Sequence, residues 1–269
     1  MILLSGKDRV EETKERIATY KKQHQQELSS FSFYFFSDKE DLGSFYYLRS
    51  LKRILESFSL PYEEGFYDRE KSEEENRREV KKHAGRRQTR IFRPLPTKRE
   101  KEFLSLLQPG YDPDRLSLNN LGRLFSGNRD YLPATVKSIR AILHHYHRDR
   151  EGKRAAVIGR SLSLGLPCFL RLGKENRTVS LLHSHSRKED REDIIKKSSL
   201  LVLASGKKGL VPPSCLNKDR IVIDCGFEKG GELGYLPSVY AYTPVPGGVG
   251  ALTPYYLIRN AREEAVRKK

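Results

Sequence analysis

The sequence predicts an α/β protein with a mainly parallel sheet, and three observations carry that prediction. Between residues 154 and 224, short apolar runs alternate with helical segments at the interval of strand–helix–strand crossovers. Earlier, the aromatic run Phe31-Ser-Phe-Tyr-Phe-Phe36 reads as a strand and is followed by a helix with a continuous apolar stripe. The length of 269 residues leaves room for one large or two small domains, at roughly 100–200 residues each.

The elements follow in order. Residues 7–28 are rich in Glu, Lys and Gln, with Val10 and Ile17 two turns apart, which describes a surface helix. Ser29-Ser30 and Ser37-Asp38 bound the aromatic strand. Tyr47, Leu51, Ile54, Leu55 and Phe58 then recur at i, i+4, i+7, i+8 and i+11, one face of a helix that Pro61 stops. The Glu/Arg-rich stretch 73–82 suits a second helix, ended by Gly85. Arg90-Ile-Phe-Arg-Pro-Leu-Pro96 is a short strand running into a stiff turn, and 98–107 is again helical. Tyr111-Asp-Pro-Asp114 breaks the pattern before Asn120-Leu-Gly-Arg-Leu124. Helical spacing returns at 135–146. Strands are expected at 154–158, 178–182, 200–204 and 221–224, with helices between them and a last helix over 252–266.

The formal net charge of +16 implies an acidic partner: a phosphorylated cofactor, a polyglutamyl substrate or nucleic acid. The charge is concentrated, because residues 77–101 hold eleven Lys/Arg against Glu79 and Glu100, a net +9. The default reading of such a run is a solvated helix face followed by a loop, and the functional one is an electrostatic funnel for polyanions. Only Phe92 interleaves it, so the stacking platform of a nucleic-acid binder is not expected. Met1-Ile-Leu-Leu4 is too short for a signal-peptide core, and no apolar run approaches a membrane span. Cys168, Cys215 and Cys225 are odd in number and lack metal-ligand spacing, as expected for reduced thiols in the cytoplasm. His144, His145 and His147 invite a metal reading, yet only His144 and His147 share a helix face and nothing nearby completes four ligands. No metal is expected.

Two stretches carry chemistry. Tyr242-Thr-Pro-Val-Pro-Gly-Gly-Val-Gly-Ala-Leu-Thr253 is uncharged in a chain that is 32% charged. Its prolines and glycines are incompatible with a helix interior or a central strand, and glycine lets a backbone lie close to a ligand. Taken alone, it is a turn into the last helix. Upstream, a strand ending in Gly159, a turn, and a helix starting near Gly165 place backbone N–H groups where a pyrophosphate sits. The spacing is Gly-x-Ser-x-x-x-Gly rather than Gly-x-Gly-x-x-Gly. The next strand ends in Leu182-His183-Ser184-His185, without the acidic residue that marks a site for NAD.

In their order and spacing, Gly159-Arg-Ser-Leu-Ser-Leu-Gly-Leu-Pro167, His183-Ser184, Gly206-Lys-Lys-Gly209, Val222-Ile-Asp-Cys-Gly226 and the 242–253 run resemble the bifunctional methylenetetrahydrofolate dehydrogenase/cyclohydrolase (FolD-type) family. The resemblance is close over residues 154–260 and weaker before. It implies two domains: an N-terminal α/β folate-binding domain of residues 1–132 with the C-terminal helix 251–269, and a Rossmann-like NADP-binding domain of residues 133–250. It also implies NADP-dependent oxidation of 5,10-methylenetetrahydrofolate in one-carbon metabolism, and a homodimer formed through the Rossmann-like domain.

For the cofactor, the resemblance assigns Gly159, Arg160, Ser161 and Ser184, the last three to the 2′-phosphate of NADP. It adds Gly226 and Phe227 beside the nicotinamide ribose, then Gly247, Gly248 and Thr253. His185 replaces an arginine common in the family. For folate it assigns Tyr47 and Asp114, with Pro244 and Pro246 beside the substrate. The family's Tyr-x-x-x-Lys aligns without a gap, placing Tyr47 on the tyrosine and Leu51 on the lysine. Lys52 is one residue on, about 100° around the helix. The glutamine ahead of Pro-Leu-Pro becomes Phe92, with Pro94-Leu95-Pro96 kept. Asp-Val-Asp-Gly becomes Asp112-Pro-Asp114-Arg115, which keeps the pterin-gripping carboxylate and loses the glycine, and Pro-Cys-Thr-Pro becomes Pro133-Ala-Thr-Val136.

These losses differ in consequence. Hydride loss from an N–CH₂–N carbon is driven by nitrogen lone pairs and needs mainly positioning. Opening the methenyl product needs an activated water and a relayed proton, the work of the lysine and its glutamine partner. Dehydrogenation is therefore expected and cyclohydrolase activity is doubtful. Two other classes stay open: a catalytically silent FolD-like regulator that binds nucleotide or folate, and a nucleic-acid binder using residues 77–101. Retention of the whole 243–250 loop argues against silence.

Overall fold

The computed structural model describes residues 1–24, 26, 31–82, 88–92, 100–128, 131–146 and 151–266, with backbone alone for 42–44, 88–92, 100, 101 and 109. In chain order the elements are β1 (Ile2–Leu3), α1 (Val10–Gln23), β2 (Ser32–Asp38), α2 (Leu42–Ser57), β3 (Tyr62–Tyr67), α3 (Glu73–Lys82), β4 (Gln88–Phe92), α4 (Glu100–Leu104), α5 (Leu118–Phe125), α6 (Ala134–His145), β5 (Arg154–Ile158), α7 (Gly165–Gly173), β6 (Thr178–Leu182), α8 (Lys188–Lys197), β7 (Leu200–Leu203), β8 (Ile221–Asp224), β9 (Ala241–Tyr242) and α9 (Val249–Val266). The chain divides into two compact units, Met1–Glu11 with Gly127–Thr253 and Glu12–Ser126 with Pro254–Lys269.

The first unit holds a six-stranded sheet in the order β1-β9-β8-β7-β5-β6, with every pair parallel. Its central strands are apolar and buried throughout, as strands covered on both faces must be. The register aligns Ile158 with Leu182 and Leu203, and Leu203 with Asp224. Four strands thus end in one row, and the loops that follow them share one edge of the sheet, where α/β sheets bind ligands.

The first eleven residues belong to this unit, whereas the sequence assigned them to the folate half. Ile2 and Leu3 pair with Ala241 and Tyr242, and the Leu4 and Gly6 amides donate to the Tyr242 and Gly247 carbonyls at 2.8 and 2.9 Å. The apolar Ile-Leu-Leu run is therefore an edge strand.

The second unit holds a three-stranded parallel sheet, β3-β2-β4. Phe33, Tyr34, Phe35 and Phe36 on central β2 are all buried, and the Phe36 and Phe103 rings stack at 5.5 Å. On helix α2, Leu48, Leu51 and Leu55 are each buried. Strand β3 was not expected, because Tyr62-Glu-Glu-Gly-Phe-Tyr67 lacks apolar alternation; it is an edge strand with Glu63 and Glu64 outward. The C-terminal part of α9 belongs to this unit, with Leu257, Ile258, Asn260 and Ala261 buried. It starts at Val249, so Gly250 is helical and the Pro-Gly loop is shorter than its composition suggested.

Candidate active site

In the first unit, the turn after β5 is set by glycine. Gly159 has φ +129°, and a Cβ there would lie 2.0 Å from the Ala204 carbonyl oxygen of the neighbouring strand end. Its amide donates to the Leu182 carbonyl at 2.8 Å, which locks the β5 and β6 loops side by side. Ser161 caps the next helix: its Oγ accepts the Gly165 amide at 3.3 Å and its carbonyl accepts the Leu166 amide at 3.0 Å. Arg160, Ser161, Ser184 and His185 are exposed, and among the described residues Arg160 makes no ion pair. This donor set, without a carboxylate on either loop, fits a phosphorylated ribose better than a free ribose diol.

The loop after β8 is organised by Asp224, which is 2% exposed. Its carboxylate accepts the amides of Gly226 at 2.8 Å, Glu232 at 3.0 Å and Leu233 at 3.1 Å. Glu232, also buried, accepts the Ser205 and Gly206 amides, each at 2.9 Å, and thereby ties the β7 loop to the β8 loop. Burial pushes the Glu232 carboxyl upward against those hydrogen bonds. A cleft of about 280 Å³ lies there, lined by Gly206, Lys208, Gly226, Phe227 and Glu232. Neither carboxylate was singled out from sequence, though Asp224 sits at the recognisable strand end.

The Pro-Gly loop follows β9, with its Val245–Pro246 peptide cis. Gly247 has φ +109°, and a Cβ on Gly248 would meet the Pro244 carbonyl at 2.6 Å. Glycine is needed here by the loop's own close approaches, whereas the sequence reading reserved the space for a ligand. Pro244 is half-buried and Pro246 exposed. Thr253, assigned to the cofactor from sequence, is 2% exposed, with its hydroxyl 3.0 Å from the Val249 carbonyl and 3.3 Å from Ser138 Oγ.

The second unit holds Tyr47 and Asp114 of the residues assigned to folate, and Pro244 and Pro246 belong to the first. Tyr47 is half-buried on α2, Leu51 is fully buried one turn on, and Lys52 turns away to pair with Glu64 of β3 at 2.8 Å. Asp112 is fully buried, and its Oδ2 accepts the Ser117 amide at 2.6 Å and Asn120 Nδ2 at 3.0 Å. Asp114, 5% exposed, is flanked by two ties to α9. Asn260 Nδ2 donates to the Pro113 carbonyl at 2.9 Å, and Arg115 pairs with Glu264 at 3.0 Å. Arg115 has φ +62°, so the backbone keeps a glycine-like conformation without the glycine. Phe92 is seen as backbone only, and Pro94-Leu95-Pro96 lie outside the described residues, as does His147.

Compared with known proteins, residues 133–269 match the family described as tetrahydrofolate dehydrogenase/cyclohydrolase, NAD(P)-binding domain. The bifunctional protein FolD of Clostridium acetobutylicum is 32% identical over 240 residues, covering 83% of this chain and 84% of that one. The chain belongs to this family. In fold it is similar to the FolD methylenetetrahydrofolate dehydrogenase/cyclohydrolase of Campylobacter jejuni, with a TM-score of 0.88 at 23% identity over the whole of both chains. It is equally similar to the Trypanosoma brucei FolD solved with NADP and an inhibitor, with a TM-score of 0.86 at 23% identity over 100% of this chain and 98% of that one.

As a FolD-family chain, it is an α/β protein whose dinucleotide loops fold around internal glycine contacts and two buried carboxylates. The three cysteines are free thiols, and burial pushes Cys168 up to about 12 and Cys225 upward, which suits packing rather than nucleophilic chemistry. Among the described residues no cluster of His, Cys, Asp or Glu could hold a metal, and no helix is long and apolar enough to cross a membrane.

Proposed function

We propose that this chain oxidises 5,10-methylenetetrahydrofolate to 5,10-methenyltetrahydrofolate with NADP, and that it hydrolyses the product poorly. When bound, NADP supplies the hydride acceptor. The chain's residues bind and orient. In this reading Arg160, Ser161 and Ser184 hold the 2′-phosphate, and the N-terminal end of α7 receives the pyrophosphate. Gly226 and Phe227 lie beside the nicotinamide ribose, and Gly247 and Gly248 shape the loop at the cofactor. Tyr47 and Asp114 contact the folate, with Pro244 and Pro246 beside it.

The observation that carries the proposal is the contrast on α2: Leu51 is fully buried, and Lys52 is committed to Glu64. The proton-relaying lysine has no replacement on this helix, while the dinucleotide loops keep Gly159, Arg160, Ser161 and Ser184. Hydride transfer needs positioning, which remains; hydrolysis needs general acid–base help worth about 10²–10⁴-fold, which does not.

Reduced buried thiols favour a cytoplasmic setting. A homodimer belongs to the same reading: the sheet is open at Ile2–Leu3, and Met1, Leu3, Leu236 and Tyr240 are exposed in the same unit. Polyglutamyl tails are the proposed ligands of residues 77–101, of which only 77–82 have described side chains. The test is NADP reduction by purified protein given methylenetetrahydrofolate. Binding of both ligands without any NADPH would favour the silent regulator.

A further inference from the structure

We propose that Glu232 is a positioning residue for the nicotinamide end of the cofactor: it holds the loop after β7 so that Gly206 and Gly226 line one cleft. This rests on the reading above that Gly226 and Phe227 lie beside the nicotinamide ribose.

Glu232 grips the β7 loop at both ends. Its Oε2 accepts the Ser205 amide at 2.9 Å and the Ser205 hydroxyl at 2.5 Å, and its Oε1 accepts the Gly206 amide at 2.9 Å. Its main-chain carbonyl accepts the Gly209 amide at 3.2 Å. Glu232 is itself mounted on the end of β8. Its amide donates to Asp224 Oδ1 at 3.0 Å, and the same oxygen accepts the Gly226 amide at 2.8 Å. A chain of hydrogen bonds therefore runs from Gly206 through the two carboxylates to Gly226. The mount requires glycine at position 231, where φ is +63° and a Cβ would lie 2.3 Å from Asp224 Oδ2.

The cleft of about 280 Å³ between these loops is open beside Gly206, where a Cβ would meet nothing within 4 Å. Phe227, which also lines it, is 52% exposed. Bare backbone and an exposed aromatic ring are surfaces on which a planar heteroaromatic ring packs. Lys208 and Glu228 also join the two loops, but both are half solvated and such a pair contributes little. The buried carboxylate is the stronger tie. Three donors converge on its two oxygens, and among the described residues no cation pairs with it. Burial pushes this carboxyl upward, and the Ser205 and Gly206 hydrogen bonds draw it back. A buried, unpaired carboxylate costs stability, and groups of that kind gather at functional clefts. Glutamine cannot replace it, because its amide has one acceptor oxygen. That oxygen stays with the two Ser205 donors, and the Gly206 amide is left facing an NH₂ group.

The test is calorimetric affinity for NADP, NAD and adenosine 2′,5′-bisphosphate, which is the adenosine end of NADP without its nicotinamide end. Wild type, Glu232→Gln and Gly206→Ala are compared. Gly206→Ala leaves Glu232 in place and puts a methyl into the open space of the cleft, so it carries the test if Glu232→Gln fails to fold. In both variants, NADP and NAD should weaken by one common factor of about 10-fold, the size of one hydrogen bond to a charged group. Adenosine 2′,5′-bisphosphate should bind all three proteins alike, a result that a general loosening of the fold would not give. Wild-type affinity for NADP in either folded variant would overturn the role of Glu232, as would an equal loss of NADP and the bisphosphate. Wild type that binds none of the three ligands would overturn the cofactor reading itself.

Discussion

Arg115 and Glu264 form an ion pair at 3.0 Å in which the side chains are 0% and 5% exposed. One helical turn before Glu264, Asn260 holds the Pro113 carbonyl, so α9 grips the chain on both sides of Asp114. The pair joins residues far apart in sequence and fixes an arginine in a left-handed backbone conformation. Breaking a buried pair by removing one partner typically costs about 3–5 kcal/mol, because the other charge stays buried alone. Arg115→Met should therefore destabilise by about that much in denaturant unfolding. Arg115→Gly relieves the backbone, worth about 1–3 kcal/mol, yet still removes the buried ion pair and so remains a net loss. Adding Glu264→Leu to Arg115→Gly should recover most of it. A loss below about 1 kcal/mol for Arg115→Met would show that the pair contributes little.

Asp112 gives a pH signature with a definite sign. Burial pushes its carboxyl from 3.8 up to about 6, against the lowering effect of the Ser117 and Asn120 hydrogen bonds. The folded state thus holds this proton more tightly than the unfolded chain. The resulting stabilisation is fully present below the unfolded value and is lost as pH rises through about 6. Asp112→Asn keeps an oxygen to accept the Ser117 amide and removes the titration. Relative to wild type, its stability should rise between about pH 4 and about pH 7, by no more than about 2–3 kcal/mol. A difference that does not vary with pH would contradict this.

On α2, Lys52→Ala should leave any hydrolysis of methenyltetrahydrofolate unchanged and cost less than about 1 kcal/mol, since its partner is also partly solvated. Leu51→Lys should destabilise the protein, because an ammonium ion at that fully buried position loses its water. It should not restore hydrolysis alone, because the family resemblance aligns Phe92 with the orienting glutamine. A large fall in hydrolysis in Lys52→Ala would mean that Lys52 leaves Glu64 to act on substrate.

Much of this was legible in the sequence, for physical reasons that differ by element. Strands β5, β7 and β8 are buried, and apart from Arg154 and Asp224 at their ends their side chains are all apolar and announce themselves. The α2 stripe declared both the helix and the burial of Leu51. Strand β1 has only two residues and exists because β9 is there to pair with it, which no local pattern encodes. Strand β3 is hidden by two adjacent glutamates on an open edge. At the site, the loss of the family's glycine at Arg115 was visible, but Glu264 as its partner was not, because the contact is made only by the fold. At Gly159 and Gly248 the missing Cβ atoms make room for the chain itself, close approaches that only the fold brings about. Thr253 was assigned from its place in a motif, and its hydroxyl is directed to its own helix.

The central claim is that oxidation is kept while hydrolysis is lost, and one measurement reads both. Purified protein is given methylenetetrahydrofolate and NADP at a pH where spontaneous opening of methenyltetrahydrofolate is slow, and both NADPH and methenyltetrahydrofolate are followed by absorbance. The account predicts that they accumulate in equal amounts, with methenyltetrahydrofolate decaying afterwards no faster than in buffer. NADPH formed while methenyltetrahydrofolate fails to accumulate would show a working cyclohydrolase and contradict it, as would the absence of NADPH.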